Sequence, residues 1–203
     1  MRVKICGLTR AEDALLAEQL GAAMLGFIFY PGSKRFIAPD AAASITPQLK
    51  AMTVGVFVNQ TDDVLATAAK ANLSAVQLHG DETPQMLEEI RKDFGGLIIR
   101  ALRPKTPADL EVIVDYQGIA DLILIDAASA GQYGGTGEVG DWQLAIAAKE
   151  YGLPVILAGG LNPGNIAAAA KTVQPYALDL SSGVEASPGI KDPEKLKALF
   201  SAL

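Results

Sequence analysis

Short apolar runs rich in β-branched residues recur along the chain, and longer stretches with apolar residues at helical spacing lie between them. The runs are VKICG (3–7), MLGFIF (24–29), TVGVFV (53–58), AVQLH (75–79), LIIRAL (97–102), LILID (122–126), PVILAG (154–159) and YALDLS (176–181). They read as strands. Their starts fall 21 to 32 residues apart, about what a strand, a helix and two short loops consume. The segments between them include AEDALLAEQLG, TDDVLATAAKANL, PADLEVIVDYQG and PGNIAAAAKTV. These read as helices, several beginning with Thr, Asp or Asn where an N-cap belongs. Asn162-Pro163 and Asp192-Pro193 each read as an N-cap followed by proline in the first turn.

Strict alternation of strand and helix implies a parallel sheet with right-handed crossovers. Eight repeats favour an α/β chain closed into a (β/α)8 TIM barrel, a single domain over residues 1–203, small for its class because its loops are short. A doubly wound open sheet is the architectural alternative. No linker, low-complexity tract or shift of composition divides the chain.

Composition narrows the chemistry. Half of the 203 residues are hydrophobic and one fifth are charged, enough for a sizeable core. One cysteine excludes an internal disulfide and a Cys-based metal cluster, and one histidine argues against a His-rich metal site, so no metal is expected. A formal charge of −6 with no basic stripe argues against nucleic acid as partner. Arg2 and Lys4 are followed by no uninterrupted apolar h-region, and no apolar stretch approaches the ~18 residues that span a bilayer. The expectation is a soluble cytoplasmic protein with no membrane partner.

In a barrel, chemistry belongs where strands run out into the following loops. Those positions are Cys6, Tyr30, Asn59, His79, Arg103, Asp126, the pair Gly159-Gly160, and Ser181-Ser182-Gly183. Faces alternate along a strand, so Val3 and Ile5 take the helix side and send Lys4 and Cys6 inward. Glycines follow three consecutive strands, in GGTG (134–137), LAGGLNPGN and DLSSGVE. Such loops let backbone N–H groups approach an anion, which points to a phosphorylated small-molecule ligand.

Asp126 closes a very apolar strand, as a candidate catalytic acid or base, where desolvation favours its protonated form. Cys6 needs the reverse: a free thiol of pKa about 8.5 is mostly protonated at neutral pH, so a basic role requires nearby positive charge. Lys4 and Arg35 are candidates to supply it. Lys4 alternatively forms a buried ion pair with an inward carboxylate such as Asp179. His79 reads as orienting a ligand or a neighbouring side chain ahead of acting as a base. Arg35, in YPGSKRF, is either a fork for a substrate carboxylate or a solvated loop charge.

These residues resemble the phosphoribosylanthranilate isomerase family of tryptophan biosynthesis over nearly the whole chain. The resemblance is carried by KICGLT (4–9), GFIFYPGSKR (26–35), VGVFVNQ (54–60), VQLHGDE (76–82), LIDA (124–127), GGTG (134–137), LAGGLNPGN (157–165) and DLSSGVEASPGIKD (179–192). It implies a barrel that performs an Amadori rearrangement of an aminoaldose phosphate to an aminoketose, without a cofactor. By that analogy Asp126 is the general acid and Cys6 the general base. Arg35 grips the substrate carboxylate, Asp179 lies on the anthranilate side, and Gly159, Gly160, Ser182 and Gly183 grip the phosphate. One departure is Gly140, where an aromatic residue is expected after GGTG.

Three rivals are weighed. A two-aspartate phosphoribosyl-sugar isomerase of the histidine pathway should carry aspartate where this chain has Cys6. An indole-forming synthase should carry strand-end lysines, of which only Lys34 stands out. A non-catalytic sugar-phosphate sensor would need the glycines but not both Cys6 and Asp126. The oligomeric state expected is a monomer or a homodimer.

Overall fold

Eight strands pair in sequence order and close into a barrel in this computed structural model, which describes residues 1–60, 63–127 and 142–203. They are β1 (Arg2–Ile5), β2 (Met24–Ile28), β3 (Met52–Phe57), β4 (Ala75–Leu78), β5 (Leu97–Leu102), β6 (Leu122–Asp126), β7 (Val155–Ala158) and β8 (Ala177–Leu180). All the pairings are parallel. The closing seam pairs Val3 with Leu178 and Lys4 with Asp179. That seam rules out the open sheet. GGTG (134–137) and Gly140 lie outside the described residues.

The period of two along each strand divides the apolar residues into two layers. Met24, Val54, Ala75, Ile99, Leu124, Ile156 and Ala177 fill the barrel interior. Val3, Ile5, Leu25, Phe27, Phe57, Ile98 and Leu178 belong to the layer under the helices. The helices are α1 (Ala11–Gln19), α2 (Pro39–Ile45), α3 (Val64–Lys70), α4 (Pro84–Asp93), α5 (Trp142–Ala148), α6 (Ile166–Val173) and α7 (Pro193–Ser201). Several bury alanines against the sheet, among them Ala14, Ala17, Ala68, Ala145 and Ala169. Small side chains let short helices lie close to the strands without voids, which is how so short a chain completes the architecture. None of the described helices is long and apolar enough to cross a membrane.

Three local features depart from the sequence reading. The crossover from β5 to β6 is a 3₁₀ run, Pro107–Tyr116, and not an α-helix. Its buried residues, Leu110, Ile113 and Tyr116, recur every third position, which matches the three residues per turn of that helix. Asp109 secures the start by accepting from the N–H groups of Lys105 and Thr106, each at 2.8 Å. Second, α6 begins after Asn165, not Asn162, and neither side chain caps it: Asn165 Oδ1 accepts from Asn162 N and Asn162 Oδ1 from Gly164 N, each at 2.8 Å, in the turn before the helix. Asp192 does cap α7, accepting from Glu194 N and Lys195 N. Third, β8 is followed by a two-stranded hairpin, β9 (Glu185–Ser187) and β10 (Ile190–Lys191), turned by Pro188-Gly189.

Candidate active site

The strands deliver their last inward residues into one cavity of about 560 Å³ at the carboxyl end of the barrel. That volume lies within the ~300–1,000 Å³ usual for small-ligand sites. Cys6, Arg35, His79, Asp126, Gly159, Gly160, Asp179 and Ser182 all line it. Gly183 stands just off the wall, against the neighbouring loop. An added Cβ there would fall 1.9 Å from Leu161 O, so only glycine allows the loops after β7 and β8 to touch.

Cys6 is buried beside two fully buried lysines. Lys4 lies on the same inward face, and its Nζ reaches both oxygens of Asp179 at 3.0 Å. Burial alone would push the Lys4 ammonium to lose its proton, but Asp179 and Cys6 outweigh that and raise its pKa. Lys191, on β10, donates to Cys6 O at 2.6 Å, Ser181 O at 3.2 Å and Glu185 Oε1 at 2.9 Å. Burial pushes the Cys6 thiol up, Lys4 and Lys191 pull it down without prevailing, and Asp179 adds to the rise. The cations nearest the thiol are Lys4 and Lys191. Arg35 also feels the charge of Cys6, although its fork is paired with Glu185.

Arg35 forms a two-pronged pair with Glu185, Nε to Oε1 at 2.8 Å and Nη2 to Oε2 at 2.7 Å. Glu185 is buried. Its burial would raise the carboxyl pKa, yet Arg35 and Lys191 together hold it below its ordinary value. Neither Glu185 nor Lys191 stood out in the sequence. The available signal was opposite charges flanking a Pro-Gly turn, the pattern of a short hairpin that sets them side by side; Lys191 and Glu185 are register partners.

Across the mouth, Asp126 is buried and its Oδ2 lies 3.5 Å from His79 Nε2. The Gln77 side-chain amide lies 2.8 Å from His79 Nδ1, which fixes the ring with Nε2 facing the carboxylate. The loop that carries His79 is held from behind by another pair the sequence reading missed. Glu82 accepts from Asn59 N and Gly80 N, each at 2.8 Å, and from Arg100 Nη1 at 2.9 Å. Glu82 and Arg100 are both buried, so the ends of β3, β4 and β5 are locked together under His79.

On the β7–β8 side Gly159, Gly160, Ser181 and Ser182 line the cavity. Gly159 and Gly160 take φ of 95° and 66°, a region open to glycine and strained for other residues. The Gly160 carbonyl is held by the Asn165 amide at 2.9 Å and the Asn162 amide at 3.3 Å, which fixes the orientation of this peptide. The Ser181 hydroxyl is buried and has no hydrogen-bond partner among the described residues; it lies close to Gly7. Among the described residues no group of three or more His, Cys, Asp or Glu is placed to hold a metal ion.

A closed (β/α)8 barrel thus gathers a thiol, a carboxylate and glycine-bearing loops at the carboxyl ends of its strands, where barrel enzymes place their chemistry. Residues 3–202 match the family model for N-(5'-phosphoribosyl)anthranilate (PRA) isomerase. A relative from Citrifermentans bemidjiense, an N-(5'-phosphoribosyl)anthranilate isomerase, is 46% identical over 203 residues, covering 98% of this chain and 95% of that protein. The crystal structure of the phosphoribosyl anthranilate isomerase from Thermus thermophilus superposes with a TM-score of 0.89 at 45% identity, covering 100% of this chain and 98% of that one. A phosphoribosyl anthranilate isomerase in complex with reduced 1-(o-carboxyphenylamino)-1-deoxyribulose 5-phosphate is 38% identical, with a TM-score of 0.87 over 100% and 97% of the two chains. The chain belongs to the phosphoribosylanthranilate isomerase family.

Proposed function

We propose that this protein isomerises N-(5'-phosphoribosyl)anthranilate to 1-(o-carboxyphenylamino)-1-deoxyribulose 5-phosphate, a step of tryptophan biosynthesis, with Asp126 as acid and Cys6 as base. The observation that carries the assignment of roles is that the two residues line one cavity in a member of this family. Asp126 protonates the furanose ring oxygen. The C1–O bond then breaks as the anilino nitrogen supplies its electron pair, leaving a protonated Schiff base. Cys6, as thiolate, removes the proton from C2; the C2–H electrons form a C1=C2 double bond and the C=N π pair returns to nitrogen, giving an enolamine. Proton return to C1 and loss of the enol proton from the C2 hydroxyl complete the aminoketose.

Each step has local support. His79 stands beside Asp126 and orients its carboxyl group. Lys4 and Lys191 favour the thiolate against the cost of its burial. Arg35 grips the ortho carboxylate, with Asp179 on the anthranilate side. The phosphate rests on N–H groups of the Gly159-Gly160 and Ser182-Gly183 loops, where Gly183 permits their close approach. A small phosphorylated metabolite as substrate accords with a cytoplasmic protein, acting as a monomer or a homodimer.

The test follows the loss of anthranilate-type fluorescence when the protein meets freshly generated phosphoribosylanthranilate. Rapid loss with the wild type, and not with Cys6→Ser or Asp126→Asn, is the expected result. Undiminished turnover in either variant would remove that residue from the mechanism.

A further inference from the structure

Arg35 does not enter the cavity as an independent cation. Its Nε and Nη2 edge is occupied by Glu185 at 2.8 and 2.7 Å, while the side chain still lines the cavity. Only the Nη1 edge of the fork remains to meet a ligand. Glu185 in turn is held by Lys191 Nζ at 2.9 Å and by Gly189 N at 3.3 Å. The remaining two donors of Lys191 go to the carbonyls of Cys6 and Ser181. One fully buried ammonium thereby ties the backbone of the thiol, the end of β8 and the carboxylate behind Arg35.

The hairpin bearing both residues is itself anchored on the first crossover. Lys191 N donates to Asp13 Oδ2 at 2.9 Å, and Thr9 Oγ1 donates to Gly189 O at 2.6 Å. A buried cation of this kind costs more in desolvation than an apolar residue would, so stability alone is a weak reason for it. Charge adds a second reason. Arg35 and Lys191 bring two positive charges and Glu185 one negative, so the unit presents a single net positive charge, matched to one carboxylate.

We propose that Glu185 and Lys191 are positioning residues that hold the Arg35 fork with its Nη1 edge toward the substrate's ortho carboxylate, and so set the preference for a carboxylated aromatic amine. The proposal rests on the reading of Arg35 as the carboxylate grip. It extends recognition of the aromatic ring to a hairpin outside the barrel strands. It also makes the thiol and the grip parts of one rigid unit, with Lys191 as their shared fastening.

The experiment compares two substrates, N-(5'-phosphoribosyl)anthranilate and its aniline counterpart lacking the ortho carboxylate. Wild type, Glu185→Gln, the charge-neutral pair Glu185→Gln/Lys191→Met, and Arg35→Ala are each assayed for KM on both, with folding verified by circular dichroism. The expected result is a KM for the carboxylated substrate raised about tenfold or more in all three variants, with the aniline KM unmoved, the scale set by a misaligned charge-assisted hydrogen bond. A structural defect alone would raise both KM values together. If Arg35→Ala loses the preference and both Glu185 variants keep it, the proposal is overturned and the carboxylate grip stands. If Arg35→Ala keeps the preference, the grip and the proposal fall together.

Discussion

Lys4 Nζ lies 3.0 Å from both carboxylate oxygens of Asp179, joining β1 to β8 inside the barrel at the seam where the sheet closes. The lysine has no exposed surface and the aspartate is 8% exposed, so solvent screens this pair weakly. Removing one partner strands the other's charge in the interior, whereas removing both does not. Lys4→Met is expected to lose about 3–5 kcal/mol of unfolding free energy, and Lys4→Met/Asp179→Leu to recover much of it. Urea denaturation of the three proteins checks this, and equal losses in the single and double variants would contradict it.

Cys6→Ser and Asp126→Asn are each expected to lower kcat/KM by at least about a hundredfold, the usual scale for a lost acid or base. Burial holds the Cys6 thiol above its ordinary pKa, against Lys4 and Lys191, so its reactive thiolate is scarce at neutral pH and grows as pH rises. Alkylation of Cys6 by iodoacetamide should therefore accelerate with pH through a midpoint above that of a free thiol. A midpoint below the free-thiol value would show that the lysines prevail over desolvation.

Glu185 predicts the opposite pH behaviour for stability. Burial raises its carboxyl pKa, but Arg35 and Lys191 more than reverse this and hold it below the ordinary 4.5. A depressed folded-state pKa means the unfolded chain binds the proton more readily. The stabilisation is thus complete above the unfolded value and disappears as pH falls through the folded one. Wild type should lose melting temperature more steeply than Glu185→Gln below about pH 4.5. Scanning calorimetry across that range decides it, and parallel declines would remove Glu185 from the acid response.

Gly183→Ala tests the glycine loops. A Cβ placed 1.9 Å from Leu161 O cannot be accommodated unless the two loops part. The expected outcome is a KM for the phosphorylated substrate raised about tenfold or more, as displaced N–H donors lose the anion. Competition by inorganic phosphate should weaken in parallel. An unchanged KM together with unchanged phosphate inhibition would detach this contact from phosphate binding.

Much of this architecture was legible in the chain. The eight apolar runs coincide with the eight strands to within a residue or two at their ends, because a strand buried on both faces must be apolar almost throughout. The inward direction of Lys4 and Cys6 followed from the period of two, and the ion pair of Lys4 with Asp179 was among the readings weighed. Local chemistry was harder to place. The β5–β6 crossover is apolar at helical spacing, but Leu110, Ile113 and Tyr116 pack every third residue, a distinction that appears only once they meet the sheet. Asn162 precedes a proline as an N-cap should, yet its oxygen serves a turn and the helix begins three residues later, after Asn165.

What the amino-acid order determined by itself was the alternation that makes a barrel, the strand ends where chemistry collects, and the single thiol and carboxylate placed there. These are properties of neighbours in sequence, set by side-chain period and turn residues. The tertiary structure decided which charges meet. Arg35 and Glu185 lie far apart in the chain, as do Cys6 and Lys191, yet each pair is within hydrogen-bonding distance. Sequence spacing carries no record of such contacts, because barrel closure brings β1 against β8 and only then does burial set the protonation of the groups between them.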